Sequence, residues 1–150
     1  MTKQRCIFLY VEDSLDDILF VEGIFNKRGY GELHSVTDGQ EGIDYLSGTG
    51  IYADRKKYPQ PDVILLDLKM PRVDGFGFLK WLHTESPDHL RRLPVIVMST
   101  SNEPNDVNRA YDLGVNCYLT KPVDWELFQE RMKAVGSFWG EHAEKPTVSH

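Results

Sequence analysis

Five short apolar runs punctuate the chain: CIFLYV (6 to 11), the weaker ELHSVT (32 to 37), DVILLDL (62 to 68), PVIVMS (94 to 99) and CYLT (117 to 120). Their length and β-branched content predict strands. Between them the apolar positions recur at helical spacing. Leu15, Ile18, Leu19, Glu22 and Phe25 form one turn-spaced row, followed by Gln40 to Leu46, Phe76 to Leu82, Val107 to Leu113 and Trp125 to Trp139. Asp38-Gly39, Asp74-Gly75 and Asp106 are predicted to open helices, and Gly29 and Gly114 to close them. Strict alternation of strand and helix predicts an α/β fold, doubly wound around a five-stranded parallel sheet with helices on both faces.

The four consecutive aliphatic residues Val63 to Leu66 suit a strand covered on both faces, yet the run leads directly into a carboxylate, Asp67. In an open parallel sheet the strand C-termini share one edge, where ligands bind. The first strand delivers Glu12 and Asp13 to that edge, the third Asp67, the fourth Ser99 and Thr100, and the fifth Lys121 followed by Pro122. Two unit charges ~4 Å apart repel by ~4 kcal/mol at an effective dielectric of 20, so clustered acids call for a cation. Carboxylates are hard ligands suited to Mg²⁺, which shares its shell with phosphate oxygens. Lys121 offers an ammonium and Ser99 a hydroxyl to a phosphoryl group, so Asp67 is placed to attack phosphorus and become an acyl phosphate.

Together the Glu12-Asp13 pair, the Asp67 to Gly75 run (DLKMPRVDG), Ser99 and the Tyr118-Leu119-Thr120-Lys121-Pro122 run resemble the response-regulator receiver domain of two-component signalling. The resemblance covers essentially the whole chain. It implies the flavodoxin-like (βα)5 strand order 2-1-3-4-5. It further implies Asp67 as phosphoacceptor, and Mg²⁺ held by Asp13, Asp67 and the backbone carbonyl of Lys69, with Glu12 acting from the outer shell through water. Lys121 would contact the phosphoryl group from a cis Lys121-Pro122 peptide. Ser99 and Tyr118 match the switch pair whose hydroxyl and ring move on phosphorylation. Many members carry Thr and then Ala where this chain has Ser99 and Thr100; Ser99 keeps the hydroxyl and Thr100 narrows the approach. Lys69 and Ser101 border the path of an attacking water.

The long connection 47 to 61, the Tyr111 to Pro122 stretch and Phe138-Trp139 are similar, more narrowly, to stand-alone regulators serving phytochrome-type histidine kinases. That likeness implies a sensor histidine kinase as partner and a homodimer through the fourth helix, fifth strand and fifth helix, with Trp125, Phe128, Phe138 and Trp139 as interface candidates and Trp139 foremost. A phosphorelay intermediate without its own output and a phosphorylation-independent binding module are the alternatives. A dehalogenase-type phosphatase would want an acid where Lys69 stands. A flavodoxin-like electron carrier would want hydroxyls where Glu12, Asp13, Asp16 and Asp17 stand.

With 150 residues, the chain fits a single receiver domain over residues 1 to 143 and a polar tail over 144 to 150. A net charge of -6 with scattered Lys and Arg argues against nucleic acid. No apolar stretch approaches the ~20 residues of a membrane span, and Met1 to Arg5 lacks the character of a leader, so the expected location is cytoplasmic. Cys6 and Cys117 read as buried free thiols. The basic cluster Arg55-Lys56-Lys57 lies in the long connection.

Overall fold

Strands β1 (Ile7–Val11), β2 (Glu32–Val36), β3 (Val63–Leu66), β4 (Val95–Ser99) and β5 (Cys117–Thr120) form one sheet in the order β2-β1-β3-β4-β5, with every neighbouring pair parallel. These are features of a computed structural model that describes residues 5 to 146. The helices are α1 (Leu15–Arg28), α2 (Gly39–Ser47), α3 (Gly75–Lys80), α4 (Pro104–Asp112) and α5 (Trp125–Ser137). The predicted fold class and strand order are the observed ones.

Side-chain alternation along the strands divides the core in two. Leu9, Val11, Ile64, Leu66, Val95 and Val97 face α2, α3 and α4, where Tyr45, Phe78, Leu79 and Ala110 meet them. Phe8, Tyr10, Val63, Leu65, Ile96 and Met98 face the other way, onto Ile18, Val21 and Phe25 of α1 and Phe128, Met132 and Val135 of α5. All four residues of β3 are buried, as expected of a central strand covered on both faces.

Helix ends follow local chemistry. Ser14, Asp38 and Asp74 cap α1, α2 and α3 by accepting from the N–H groups of Asp17, Glu41 and Gly77. Gly29 ends α1 in the left-handed region, at φ 68°. Gly75 is required for space instead: a Cβ there would lie 2.6 Å from the Asp67 carbonyl oxygen and 2.5 Å from Leu68 Cα.

Several expectations need correction. The α1 row is displaced: Ile18, Val21, Ile24 and Phe25 are buried, while Leu15 and Leu19 are exposed. The inward face of α1 is set by Ile18, Val21 and Phe25, and Leu15 and Leu19 point to its side. α4 starts at Pro104, not near Asp106; proline favours the first helical position, and the Asp106 carboxylate accepts from Ser101 Oγ. The segments after α3 and α5 continue as π-helical turns, Trp81–Glu85 and Phe138–His142. Of the interface candidates, Phe128 is 2% exposed and belongs to the core, because it points at the sheet from the inward face of α5. Trp139 is half-buried against the same core, whereas Trp125 and Phe138 are exposed.

The connection 47 to 61 is packed. A 3₁₀ turn (Gly50–Ala53) places Tyr52 and Tyr58 against Tyr45, with ring centroids 5.1 and 6.0 Å from it. Arg55 donates to the carbonyls of Tyr45 and Leu46 in the last turn of α2 and of Tyr58 in the connection, tying the two together. Part of the predicted polar tail, residues 147 to 150, lies outside the described residues. No helix among the described residues is long and apolar enough to cross a membrane.

Candidate functional site

The register that pairs Val11 with Leu66 and Ser99 with Thr120 brings the strand ends level, so the residues after them meet. The Glu12 N–H bonds the Val36 carbonyl, the Asp67 N–H that of Val11 and the Lys121 N–H that of Ser99, at 3.0, 3.0 and 2.6 Å. Each functional side chain therefore leaves a backbone position already fixed by its neighbour strand.

Glu12, Asp13 and Asp67 each bring a carboxylate oxygen within 4.8 Å of the others; Glu12 and Asp67 are buried and Asp13 is exposed. Burial, followed by the charge of Asp67, pushes the Glu12 carboxyl up to about 8 from its ordinary 4.5. Burial also raises the Asp67 carboxyl, with Lys121 working in the opposite direction.

The Lys121 ammonium donates to Glu12 Oε1 at 2.6 Å and to Asp17 Oδ2 at 2.7 Å. Burial opposes its charge, but these two carboxylates outweigh that and hold its pKa above that of a free lysine. The Lys121-Pro122 peptide is trans, correcting the expected cis bond. Trans is the intrinsically favoured isomer by ~0.5 to 1 kcal/mol, and Lys121 reaches both carboxylates from it.

Ser99 is fully buried at the end of β4, and its Oγ accepts from the Ser101 N–H at 3.2 Å. The Tyr118 hydroxyl donates to the Ser101 carbonyl at 2.8 Å, and Ser101 Oγ donates to Asp106 Oδ2 at 2.6 Å. The proposed switch pair thus shares one residue, Ser101, which also ties the loop to α4. Tyr111 of α4 accepts the Tyr118 N–H on its hydroxyl, at 3.2 Å. The Lys69 N–H approaches Asp67 Oδ1 at 3.4 Å, and Thr100 is exposed beside the site.

Three participants were not singled out from sequence. Asp17 read as one of several loop acids; its placement three residues after the cap Ser14 was the available signal. Tyr10 alternates to the α1 side of β1 and donates from its hydroxyl to Glu12 Oε1 at 3.3 Å; burial and then Glu12 hold the phenol well above its ordinary range. Arg72 adopts φ 58°, the one positive φ of a non-glycine among the described residues, and grips Asp38 through both Nε and Nη2 at 2.7 and 3.1 Å. Burial disfavours the Asp38 charge, but Arg72 outweighs it and lowers the carboxyl pKa. This pair joins the loop after β3 to the start of α2.

Glu12, Asp13 and Asp67 form one carboxylate cluster, and the Lys121 ammonium beside it is shared between Glu12 and Asp17. The surplus negative charge and the all-oxygen donor set of Glu12, Asp13 and Asp67 fit a hard divalent cation.

Comparison with known proteins accords with this geometry. The family model of the response regulator receiver domain matches residues 8–133. The chain is similar to response regulator Rcp1 of Synechocystis sp. (strain ATCC 27184 / PCC 6803 / Kazusa), with 36% identity over 143 residues, covering 95% of this chain and 94% of the relative. It is similar to the crystal structure of the phosphorylated cyanobacterial phytochrome response regulator RcpA: TM-score 0.85 and 37% identity, over 97% of this chain and 100% of that one. The Mn²⁺-bound form of Rcp1 gives TM-score 0.85 and 35% identity, over 95% and 99% of the two chains.

Proposed function

We propose that this chain, which belongs to the response regulator receiver domain family, accepts a phosphoryl group on Asp67 from a phytochrome-type sensor histidine kinase and answers with a changed protein-docking surface. The observation that carries the reading is the meeting of Asp67 with Glu12, Asp13, Lys121 and Ser99 at one sheet edge. The phytochrome-type donor rests on the similarity to the cyanobacterial phytochrome response regulator RcpA.

In the transfer, an Asp67 carboxylate oxygen attacks phosphorus while the bond from phosphorus to the donor's imidazole nitrogen breaks; the electron pair of that bond stays on nitrogen. Asp13, Asp67 and the Lys69 carbonyl would hold Mg²⁺, with Glu12 acting through water. Bound there, the ion supplies positive charge to phosphoryl oxygens. Lys121 provides a second cation, and the Ser99 hydroxyl turns from its Ser101 contact to a new phosphoryl oxygen. That turn loosens the residue whose carbonyl receives Tyr118, linking the site to α4 and β5.

Exposed Leu15 and Val123 lie next in the chain to the residues around Asp13 and Lys121, giving a protein donor an apolar collar to press on. The proposed output face is α4, β5 and α5, with a second copy of the chain as partner; exposed Tyr111 on α4 and Phe138 just after α5 offer aromatic area to it.

Intact-mass spectrometry after incubation with acetyl phosphate and Mg²⁺ tests the reading. One phosphoryl adduct is expected, absent in Asp67→Asn and without Mg²⁺, with a change in elution volume on size exclusion. A folded wild type that stays unmodified by both acetyl phosphate and a phosphorylated histidine kinase would overturn it.

A further inference from the structure

The first turn of α1 departs from the usual reciprocal cap. With Ser at the N-cap and an acid three residues on, the acid ordinarily turns back to the N-cap N–H. Here that N–H is taken by Glu12 Oε2 at 3.2 Å. Only the forward half of the arrangement forms, Ser14 Oγ accepting the Asp17 N–H at 3.3 Å. The Asp17 carboxylate is freed from capping and reaches Lys121 Nζ at 2.7 Å, with both side chains mostly buried, 14% and 11% exposed.

The geometry points to Asp17 as a positioning residue that holds the Lys121 ammonium in the resting protein and competes for it with the phosphoryl group of Asp67, an inference that rests on the phosphoacceptor reading above. Lys121 donates to two carboxyl groups, those of Glu12 and Asp17, on separate segments. Glu12 belongs to the acidic cluster with Asp67, so a lysine turning toward a phosphoryl oxygen can stay near it. Asp17 lies on α1, outside that cluster, and is the partner to be given up. Its carboxylate therefore sets how tightly the site takes a phosphoryl group: the stronger its hold, the weaker the loaded state. The Phe128 ring, 5.9 Å from Nζ, lines the same lysine and is stacked on Trp125, which supplies an optical reporter.

The experiment is a titration of the whole chain with beryllium fluoride at saturating Mg²⁺. The Asp67 carboxylate completes the beryllium coordination, giving a phosphoryl mimic that is read by tryptophan fluorescence. Asp17→Asn removes the competing charge, and loss of one charge-assisted hydrogen bond from the resting state predicts about tenfold tighter binding. Asp16→Asn removes the same charge from the same turn at an exposed position and is expected to change binding by less than about twofold. Asp17→Glu keeps the carboxylate and should restore near wild-type affinity. Without fluoride, the Lys121 ammonium nitrogen resonance should shift in Asp17→Asn and stay in Asp16→Asn, a readout that simple destabilisation of α1 does not produce. If Asp17→Asn unfolds, Asp17→Ser replaces it, with the same expectation.

Equal affinities for Asp17→Asn and Asp16→Asn, or weaker binding by Asp17→Asn, overturn the inference while leaving the phosphoacceptor reading intact. A wild type that neither binds the mimic nor forms the acetyl phosphate adduct removes both.

Discussion

Asp67→Asn should stabilise the metal-free protein, and the gain should depend on pH. With oxygens of Glu12 and Asp67 within 4.8 Å, two full charges repel by ~3.5 kcal/mol at an effective dielectric of 20. Asparagine removes that repulsion but also the attraction of Asp67 for Lys121, leaving a net gain of about 2 kcal/mol where Glu12 is ionised. For a domain of this size that raises Tm by about 4 to 8 °C. Glu12 has its folded pKa raised from 4.5 to about 8, so between those values the folded state holds a proton that the unfolded state has lost. The associated stability is fully present below 4.5 and is lost as pH rises through about 8, at up to ~1.4 kcal/mol per pH unit. Wild-type Tm in EDTA should therefore fall from pH 5 to pH 9. Asp67→Asn should lie close to it at pH 6, where Glu12 is protonated, and clearly above it at pH 9. Thermal melts followed by circular dichroism at the two pH values supply the comparison. An Asn variant melting at or below wild type at pH 9, or a gain independent of pH, would refute the electrostatic account of the site.

Two other predictions concern the frame around the site. Gly75→Ala pushes a Cβ against Asp67 O and Leu68 Cα, both backbone atoms that cannot move aside, so a loss of roughly 3 kcal/mol and impaired acetyl phosphate labelling are expected; urea denaturation and intact mass measure them. Arg55→Ala removes a donor from three carbonyls, of which that of Tyr45 keeps the Gly48 N–H, and takes from the Tyr45 ring its cation neighbour; it should cost about 2 kcal/mol in urea and open the 47 to 61 connection to limited proteolysis while leaving phosphorylation intact.

Strand positions were legible because a doubly covered sheet demands aliphatic runs, and the carboxylates at their ends stood out against that demand. Helix α1 shows where the pattern fails. Leu15 and Leu19 have helical spacing, but the inward face is centred on Ile18, Val21 and Phe25, and at 3.6 residues per turn both leucines fall roughly 100° or more round the helix from its centre. The start of α4 was announced by Pro104, a signal outweighed in the reading by Asp106. Phe128 and Trp125 are both aromatic and three residues apart, yet one is buried and the other exposed; composition alone does not phase a helix. The Asp17 to Lys121 contact spans 104 residues, and only the assembled sheet edge brings its partners together. Arg72 was equally hidden, because its grip on Asp38 depends on a left-handed backbone at a residue type that rarely adopts one.

The strand order also governs how the chain can be assembled. β1 is made first yet lies between β2 and β3, so a growing chain that has completed β1, α1, β2 and α2 has filled only one side of its first strand. Until β3 arrives, Phe8 to Val11 present open backbone donors and acceptors beside buried-type side chains, the arrangement that recruits strands from other molecules. Packing of the intervening 47 to 61 connection by Arg55 and the tyrosines shortens the effective search for that partner. Fragments ending before β3 should aggregate, and so should those ending with it, because Val63–Leu66 then present their own open edge until β4 pairs with them; only a chain that reaches β5 leaves no interior strand exposed.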